Sequence, residues 1–576
     1  FRALLAPLVT LLPAALVVQL AGALIAESSK VGVKVSSLTQ ILLIVLLLGA
    51  GTDYGLFLVF RMREHLREGF EPKQAVVHAV ARVGESITFS AATVIAALLS
   101  LLLATFGIYQ SLGVPLAIGV FVMLLAALTL LPAVLAVLGR AVFWPSRMHV
   151  GHVGVSWWGR VCGRVVAHPV ATLAAGLVLM GALAVGSLGN KPGGFGGQTF
   201  PPAGSDSAIG QVALAAHYPH ASSNPTLLVF RFAQPVWDDP AELQVATTTL
   251  PSPVFASLVG PLDPTGTPAF SAAQLAGLHA ALGPSRALPL AEPASQATPA
   301  QAYNGYRATS QFISPDGRTV EFAAMLRAGD PGGTAAIQAV PAIRQVVATA
   351  ARASGAVASG AAGEAPGSFD IGVLSSRDLH HIVPVVVLVL GLLLGLVLRS
   401  AVAPLYLVAS VALSYLAALG FAVIVFIYLG GAGGLTFLLP FLMFVFLLAL
   451  GEDYNILVMT RIREEAHRLP LREAVLEALA RTGSTVTSAG LVLAGTFGVL
   501  ALAAGSDPGA AQIRAIGLGL AAGVLMDTFV VRTLLVPSAV ILIGRLNWWP
   551  SALARSELAG QRPSVGRVDA EEEAAA

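Results

Sequence analysis

Charge is scarce in this 576-residue chain: Asp, Glu, Lys and Arg make up 11% of it, against 56% hydrophobic residues. A soluble protein carries about 25% charged residues, so a wholly water-exposed fold is excluded. Cysteine is nearly absent. Cys162 stands alone, which rules out an intrachain disulfide and a Cys-rich metal site. No glycine-rich phosphate loop is present, so ATP hydrolysis within the chain does not supply energy. No Ser-His-Asp arrangement or metal-ligand spacing stands out, and His380-His381 reads as a surface pair at a helix start. The reading is of a protein that is not an enzyme and has no metal or organic cofactor. A formal net charge of +2 gives no ground for a nucleic-acid partner. A charged start followed by a short apolar stretch and a cleavage site, the mark of a secretory leader, is also missing at Phe1-Arg2.

What is there is long apolar runs. A membrane span needs about 20 mostly apolar residues, and that rule selects ten segments: 3–25, 38–60, 84–105, 113–138, 168–188, 379–398, 402–429, 436–460, 483–505 and 514–543. They fall into two groups around a segment rich in Pro, Gly, Ser, Thr and Gln. The chain therefore divides into a first membrane bundle (1–140), a linker (141–167), a single span (168–188), an external α/β domain (189–377), a second bundle (378–545) and a polar, disordered tail (546–576). Within the external domain, 226–232 and 318–326 read as strands, and 271–282 and 334–353 as helices. Asp316-Gly317 marks a hairpin turn, and 251–300 reads as mainly loop.

Basic residues orient the bundle. Arg61, Arg63, Arg67, Lys73 and Arg82 follow the second span; Arg461, Arg463, Arg468, Arg472 and Arg481 follow its counterpart. Such loops belong on the cytoplasmic side. That puts 189–377 outside the cytoplasmic membrane and the C-terminal tail inside. The stretches 64–82 and 464–481 read as amphipathic helices lying along the cytoplasmic face.

The two groups repeat one another. Arg61-Met-Arg63-Glu64 matches Arg461-Ile-Arg463-Glu464, Leu131-Pro132 matches Val536-Pro537, and Gly139-Arg140…Trp144-Pro145 matches Gly544-Arg545…Trp549-Pro550. Both copies run in the same sense, so they are parallel repeats related by an axis along the membrane normal. Phe1-Arg2…Pro7 matches Leu398-Arg399…Pro404. The single span and external domain that precede the second copy thus have no counterpart before the first, and the chain reads as beginning inside a longer protein.

The repeat singles out two carboxylates. Gly51-Thr52-Asp53-Tyr54 and Gly451-Glu452-Asp453-Tyr454 each lie inside an apolar run, 400 residues apart. Asp53 precedes Arg61 by eight residues, about 12 Å along a helix, which puts both Asp-Tyr pairs near the bilayer midplane. Charge at that depth is costly and persists where it has a partner or a water-filled path. Binding a proton removes the cost, so the pairs are candidate proton sites. Asp527 and Arg532 lie inside the last span, where the first copy has Val122 and Ala127. In an α-helix five residues rotate by about 140°, so these two are expected not to pair with each other but to engage Asp53 or Asp453 across helices; a packing ion pair is the alternative. Ser86, Thr88 and Ser90, and Thr485, Thr487 and Ser488, either hydrate a proton path or make ordinary interhelical hydrogen bonds. Ser90 is the favoured path residue, and Glu452 faces either the neck of the external domain or another span.

The runs GTDYGLFLVFRMREHL (51–66), GESITFSAATV (84–94), GEDYNILVMTRIREEA (451–466) and DTFVVRTLLVPSAV (527–540) resemble the mycobacterial-type large membrane protein (MMPL) family, within the resistance–nodulation–division superfamily of transporters. The resemblance covers both membrane halves. It implies an α-helical polytopic protein of twelve spans in two parallel-repeat bundles, with external porter-like α/β domains after the first and seventh. The present chain would begin at the end of the second span. It implies export of hydrophobic or amphipathic small molecules driven by protons, the coupling ion, and a proton relay that maps onto Asp53, Tyr54, Ser90, Asp453, Tyr454, Asp527 and Arg532. The partners implied are the lipid bilayer, a lipid, glycolipid, polyketide-like or drug cargo, and a homo-oligomer. The small, Pro/Ala-rich external domain departs from the family pattern, so cargo does not carry over. A lipid-sensing membrane protein and a proton-driven secretion accessory are the rival readings on the same scaffold.

Overall fold

A computed structural model describes residues 5–145, 157–194, 204–217, 224–264, 269–290, 298–504 and 511–555. Ten helices among them are long and apolar enough to cross a membrane. They correspond to the ten segments that hydropathy selects.

The first bundle comprises α1 (Leu5–Lys30), α2 (Ser37–Arg67), α3 (Pro72–Leu99), α4 (Gly107–Leu128) and α5 (Leu130–Leu138). Ser36 caps α2, its hydroxyl accepting from the Thr39 amide while Thr39 returns the bond. At 31 residues α2 is about 46 Å long at 1.5 Å per residue, well beyond the roughly 30 Å hydrocarbon core. Its basic end therefore protrudes, and the chain turns straight into α3. This corrects the reading of 64–82 as a separate amphipathic helix: the stretch is the end of one span, a short turn and the start of the next. The second copy does the same at 464–481.

Two pieces join the bundles. The amphipathic α6 (Trp157–Ala167) packs on the second bundle, and α7 (Pro169–Gly186) is the single span. Cys162 on α6 is 1% exposed, and burial pushes its thiol up to about 11. Maleimide should accordingly leave Cys162 unlabelled near pH 7.5 in the folded protein and label it on denaturation. Rapid labelling without denaturant would place α6 away from the bundle.

The α/β domain follows. Its elements in order are β1 (Pro192–Gly193), α8 (Asp206–His217), β2 (Thr226–Arg231), α9 (Pro240–Thr249), β3 (Phe255–Val259), α10 (Ala272–Leu282), α11 (Ala300–Ala308), β4 (Thr319–Leu326), α12 (Thr334–Ser354) and β5 (Ala358–Ala362). Four strands form an antiparallel sheet in the order β3-β4-β2-β5, with Phe230 opposite Val320 and Leu228 opposite Phe322. Alternation puts Leu228, Phe230, Val320, Phe322 and Ala324 on one buried face, and α12 covers it with Val340, Ile343 and Val347. Asp316 and Gly317 form the tight turn before β4, closed by the Ser314 amide donating to Thr319 O at 2.9 Å. The stretch 251–300, read as mainly loop, also contains β3. That strand is held by its pairing with β4.

The second bundle comprises α13 (Glu364–Leu398), α14 (Ala403–Val423), β6 (Leu435–Thr436), α15 (Leu438–Ala466), α16 (Leu471–Ala503), α17 (Ala511–Met526) and α18 (Val536–Ile543). Both copies end on a broken last span. Thr129 separates α4 from α5, and a π-helical turn over Asp527–Leu535 separates α17 from α18. Each break is followed by the repeated proline, Pro132 or Pro537, which cannot donate a helix hydrogen bond. Each copy then stops on a glycine with positive φ, Gly139 at 52° and Gly544 at 66°, a conformation glycine adopts without steric cost.

Sheet and membrane helices are continuous. Strand β5 passes through Gly363 into α13, a 35-residue helix that runs on into the bundle. His380 and His381 thus lie inside α13, not at its start. Strand β1 pairs in parallel with β6, immediately before α15. Halfway down α13, the Asp378 carboxylate is 2% exposed. It accepts hydrogen bonds from the Thr105 amide (2.9 Å), the Thr105 hydroxyl (2.6 Å) and the Phe106 amide (2.8 Å) at the start of α4. Acceptor charge at a helix N-terminus is favourable. Asp378→Ala should cost about 1.5–3 kcal/mol, the worth of a hydrogen bond to a charged group, read as a lower melting temperature in detergent. An unchanged melting temperature would show that the contact between the two bundles does not depend on this carboxylate.

Candidate functional site

The Asp-Tyr pairs sit midway along α2 and α15. Asp53 is 3% exposed, and Tyr54 and Tyr454 are fully buried. The Asp453 backbone lies in α15; its side chain falls outside the described residues. In the first copy, Ser90 on α3 donates its hydroxyl hydrogen to Tyr54 Oη at 3.4 Å. Two of the other candidate hydroxyls behave differently. Thr88 donates back to Gly84 O and Thr487 to Gly483 O, both at 2.8 Å within their own helices, the ordinary habit of Thr in an apolar helix. Ser90 alone of these three reaches a neighbouring helix.

In the second copy the π-helical turn decides the geometry. Asp527 and Arg532 were expected not to pair, on α-helical rotation; the structure corrects this. Over Asp527–Leu535 the chain follows i→i+5 bonding, which brings residues five apart onto one face. The Arg532 guanidinium donates to Asp527 Oδ2, and both side chains are buried. The same nitrogen donates to Gly451 O at 2.9 Å. The guanidinium carbon lies 4.1 Å from the centre of the Tyr454 ring, a cation–π contact in a desolvated site. Tyr454 in turn packs edge-on against Phe57 of α2, one turn beyond Asp53, with ring centres 5.6 Å apart. Asp527, Arg532 and Tyr454 are thus brought together, and Phe57 connects them to the first copy's Asp-Tyr helix.

The two copies differ around the glycine that precedes each pair. A Cβ on Gly51 would meet Ala14 Cβ at 2.8 Å and Met123 Sδ at 2.9 Å. At Gly451 the nearest atom is Asp527 Oδ2 at 3.5 Å. The aligned space is packed with apolar atoms in the first copy and holds an ion pair in the second. A cavity of about 10 Å³, lined by Gly451, Tyr454, Asp527 and Arg532 among others, lies beside that pair, with room for one water. Glu452 is fully buried, and Asn455 donates to its Oε2 at 3.4 Å.

Contacts that sequence reasoning missed lie at the N-terminal end of α15, beside β6. Tyr109 of α4 stacks on Phe441 of α15 with ring centres 3.6 Å apart. Its hydroxyl lies 2.7 Å from Ser375 Oγ of α13, and Ser375 donates to Phe437 O at 3.2 Å. A tyrosine and serine in apolar helices carry no sequence signal for such a junction.

The family model for the MMPL family matches residues 1–172 and 271–564. The chain belongs to the MMPL family. It is 35% identical over 541 residues to a membrane protein of Streptomyces coelicolor designated ActII-3, covering 93% of this chain and 66% of the relative. It is 30% identical over 547 residues to the apo-petrobactin exporter of Bacillus anthracis, covering 93% of this chain and 66% of that one. The sulfolipid-1 exporter MmpL8 of Mycobacterium tuberculosis is 38% identical over 252 residues, 42% of this chain and 22% of the exporter. The chain spans about two thirds of the first two MMPL relatives.

Proposed function

We propose that this MMPL protein takes part in proton-driven export of hydrophobic or amphipathic small molecules across the cytoplasmic membrane. The observation that carries the proposal is the ionisable group at the bundle centre: Asp527 and Arg532 buried against Tyr454, with Asp53 buried on the helix that Phe57 joins to them. Ionisable residues at membrane depth mark ion paths and relays. The exporter relatives support the transport part of the reading and lipid-like cargo.

In this proposal Asp53, Asp453 and Asp527 exchange protons, and Arg532 is the fixed positive charge whose partner changes as they do. Tyr54, Tyr454 and Ser90 hydrogen-bond along the path. A change in charge on the carboxylates beside Tyr454 and Arg532 repacks α15. That helix starts at β6, touches Ser375 of α13 through Phe437, and stacks on Tyr109. Movement of α15 therefore reaches the sheet by two routes, β1 and α13, and the α/β domain outside the membrane opens or closes on cargo.

The test uses inside-out vesicles from cells expressing the full-length gene product. Uptake of a lipophilic fluorescent probe should require an imposed pH gradient and stop on adding a protonophore. Uptake that persists without a gradient would overturn proton coupling. No gradient-dependent uptake of any amphiphile, with secreted protein falling instead when the gene is deleted, would favour a secretion accessory.

A further inference from the structure

One cavity among the described residues lies away from the buried carboxylates. It is a groove of about 1300 Å³ between α13 and α14, at the basic end of the bundle. Drug-sized pockets hold roughly 300–1,000 Å³, so it can take a larger amphiphile. One wall is the Leu388, Leu392, Leu396 face of α13, with Gly391 and Gly395 on the same side; the other includes Leu405, Ala409 and Ala412 of α14. The spacing of the leucines and glycines explains the groove. Residues four apart stack along a helix face, and small ones between them leave a furrow. From Val387 to Arg399 the furrow runs about 18 Å at 1.5 Å per residue. Leu388, Leu392, Leu396 and Leu405 are 63%, 66%, 66% and 72% exposed, so its walls offer apolar surface to whatever fills it.

Its floor is positive. Arg399, Arg463 and His467 line the basic end. Arg399 and Arg463 are like charges lining one end of one groove. Among the described residues neither arginine forms an ion pair, whereas Arg461, two residues before Arg463, is paired to Glu464 at 2.8 Å and Glu465 at 3.2 Å. The Arg463 guanidinium donates to Val397 O at 3.4 Å. Arg399 closes α13 in the left-handed conformation, φ 46°, uncommon for a residue with a side chain. In the first copy the counterpart of Arg399 is Arg2, which lies outside the described residues. Arg63, the counterpart of Arg463, lies over the Phe143 ring at 5.8 Å.

We infer that this groove is a binding site for a phospholipid with a net negative headgroup, drawn from the leaflet at the basic ends of the spans. The headgroup phosphate sits between Arg399 and Arg463, with His467 beside it, and one acyl chain lies along the furrow. Charge complementarity selects the anion: two unpaired guanidinium groups repel each other and are both relieved by one phosphate. The furrow selects a lipid over a soluble phosphate, because a soluble anion leaves the apolar walls uncovered. The site is separate from the proposed proton path, and it holds whether or not that path carries protons.

The test is native mass spectrometry of the full chain released from detergent with equal amounts of phosphatidylglycerol and phosphatidylcholine. Wild type should retain phosphatidylglycerol in preference. The Arg399→Gln/Arg463→Gln variant should lose that lipid by about 10- to 30-fold, the effect of two basic residues at a membrane surface, with phosphatidylcholine unchanged. Arg468→Gln, which removes one exposed charge from the same boundary outside the groove, should retain the preference. Gly391→Leu should lower retention of both lipids, since a Cβ at Gly391 meets nothing within 4 Å and the larger side chain fills the furrow without displacing either helix. Equal retention of the two lipids by wild type would overturn the proposal, as would an Arg468→Gln loss equal to that of the double variant. A preference appearing only in a chain ending at Arg555 would assign the groove to the C-terminal residues and overturn it as well.

Discussion

Arg532→Gln should destabilise the second bundle by about 3–5 kcal/mol, the cost of stripping one partner from a buried ion pair. The cost has three sources on the structure. Asp527, 4% exposed, loses the partner that offsets its burial; Gly451 O loses its donor; and the Tyr454 ring loses the cation that lies over it. Asp527→Asn alone should also destabilise, because it leaves Arg532 as the uncompensated charge. The double variant Asp527→Asn/Arg532→Gln should recover most of the loss, since two neutral amides of similar size can hydrogen-bond across the same turn. Recovery stays incomplete because the bond to Gly451 O and the stacking on Tyr454 are not restored. Thermal unfolding of the four proteins in one detergent, followed by size-exclusion fluorescence, gives the coupling between the two residues as a double-mutant cycle. Single variants that melt with wild type would mean that the pair carries little stability, and that its burial is tolerated for another reason.

The pairing behind that prediction was the part of the site least legible in the sequence. Helical-wheel reasoning separates residues five apart, and nothing in DTFVVRTLL marks the π-helical turn that reunites them. What the sequence did carry was the duplication. Asp53-Tyr54 and Asp453-Tyr454 stand out because apolar surroundings make a carboxylate conspicuous, and their helices place them midway along α2 and α15 as the distance to the arginines required. The spans were legible for the same reason: bilayer thickness dictates their length. The α/β domain was half legible. Strands β2 and β4 alternate cleanly, whereas β5 reads Ala-Ser-Gly-Ala-Ala, with no β-branched or aromatic residue to announce it. It is a strand because β2 pairs with it. Asp378 is another case: an acid beside an apolar run looks like a boundary marker, and only the fold brings Thr105 and Phe106 to it from 272 residues away and more.

Asp53→Asn and Asp453→Asn should each reduce export to the level of cells lacking the protein, with membrane expression preserved. Asparagine keeps the volume of aspartate and most of its hydrogen bonds, but it cannot bind and release a proton. The substitution therefore removes titration while keeping the size of the side chain, and the fold is expected to hold. Stability and export should separate: fold retained, no transport. Arg532→Gln behaves in the opposite way, losing stability first. Tyr54→Phe should give an intermediate result, since it deletes the hydroxyl that Ser90 meets at 3.4 Å while leaving Asp53 in place; Ser90→Ala should resemble it. The order Asp53→Asn below Tyr54→Phe below wild type is what a relay through a carboxylate predicts, because the hydroxyls conduct and the carboxylate stores. Export retained in both asparagine variants would remove protons from the mechanism and leave Asp53 and Asp453 as packing residues. Equal loss in Tyr54→Phe and Asp53→Asn would instead make the hydrogen bond between α2 and α3 the critical element and the carboxylate its support.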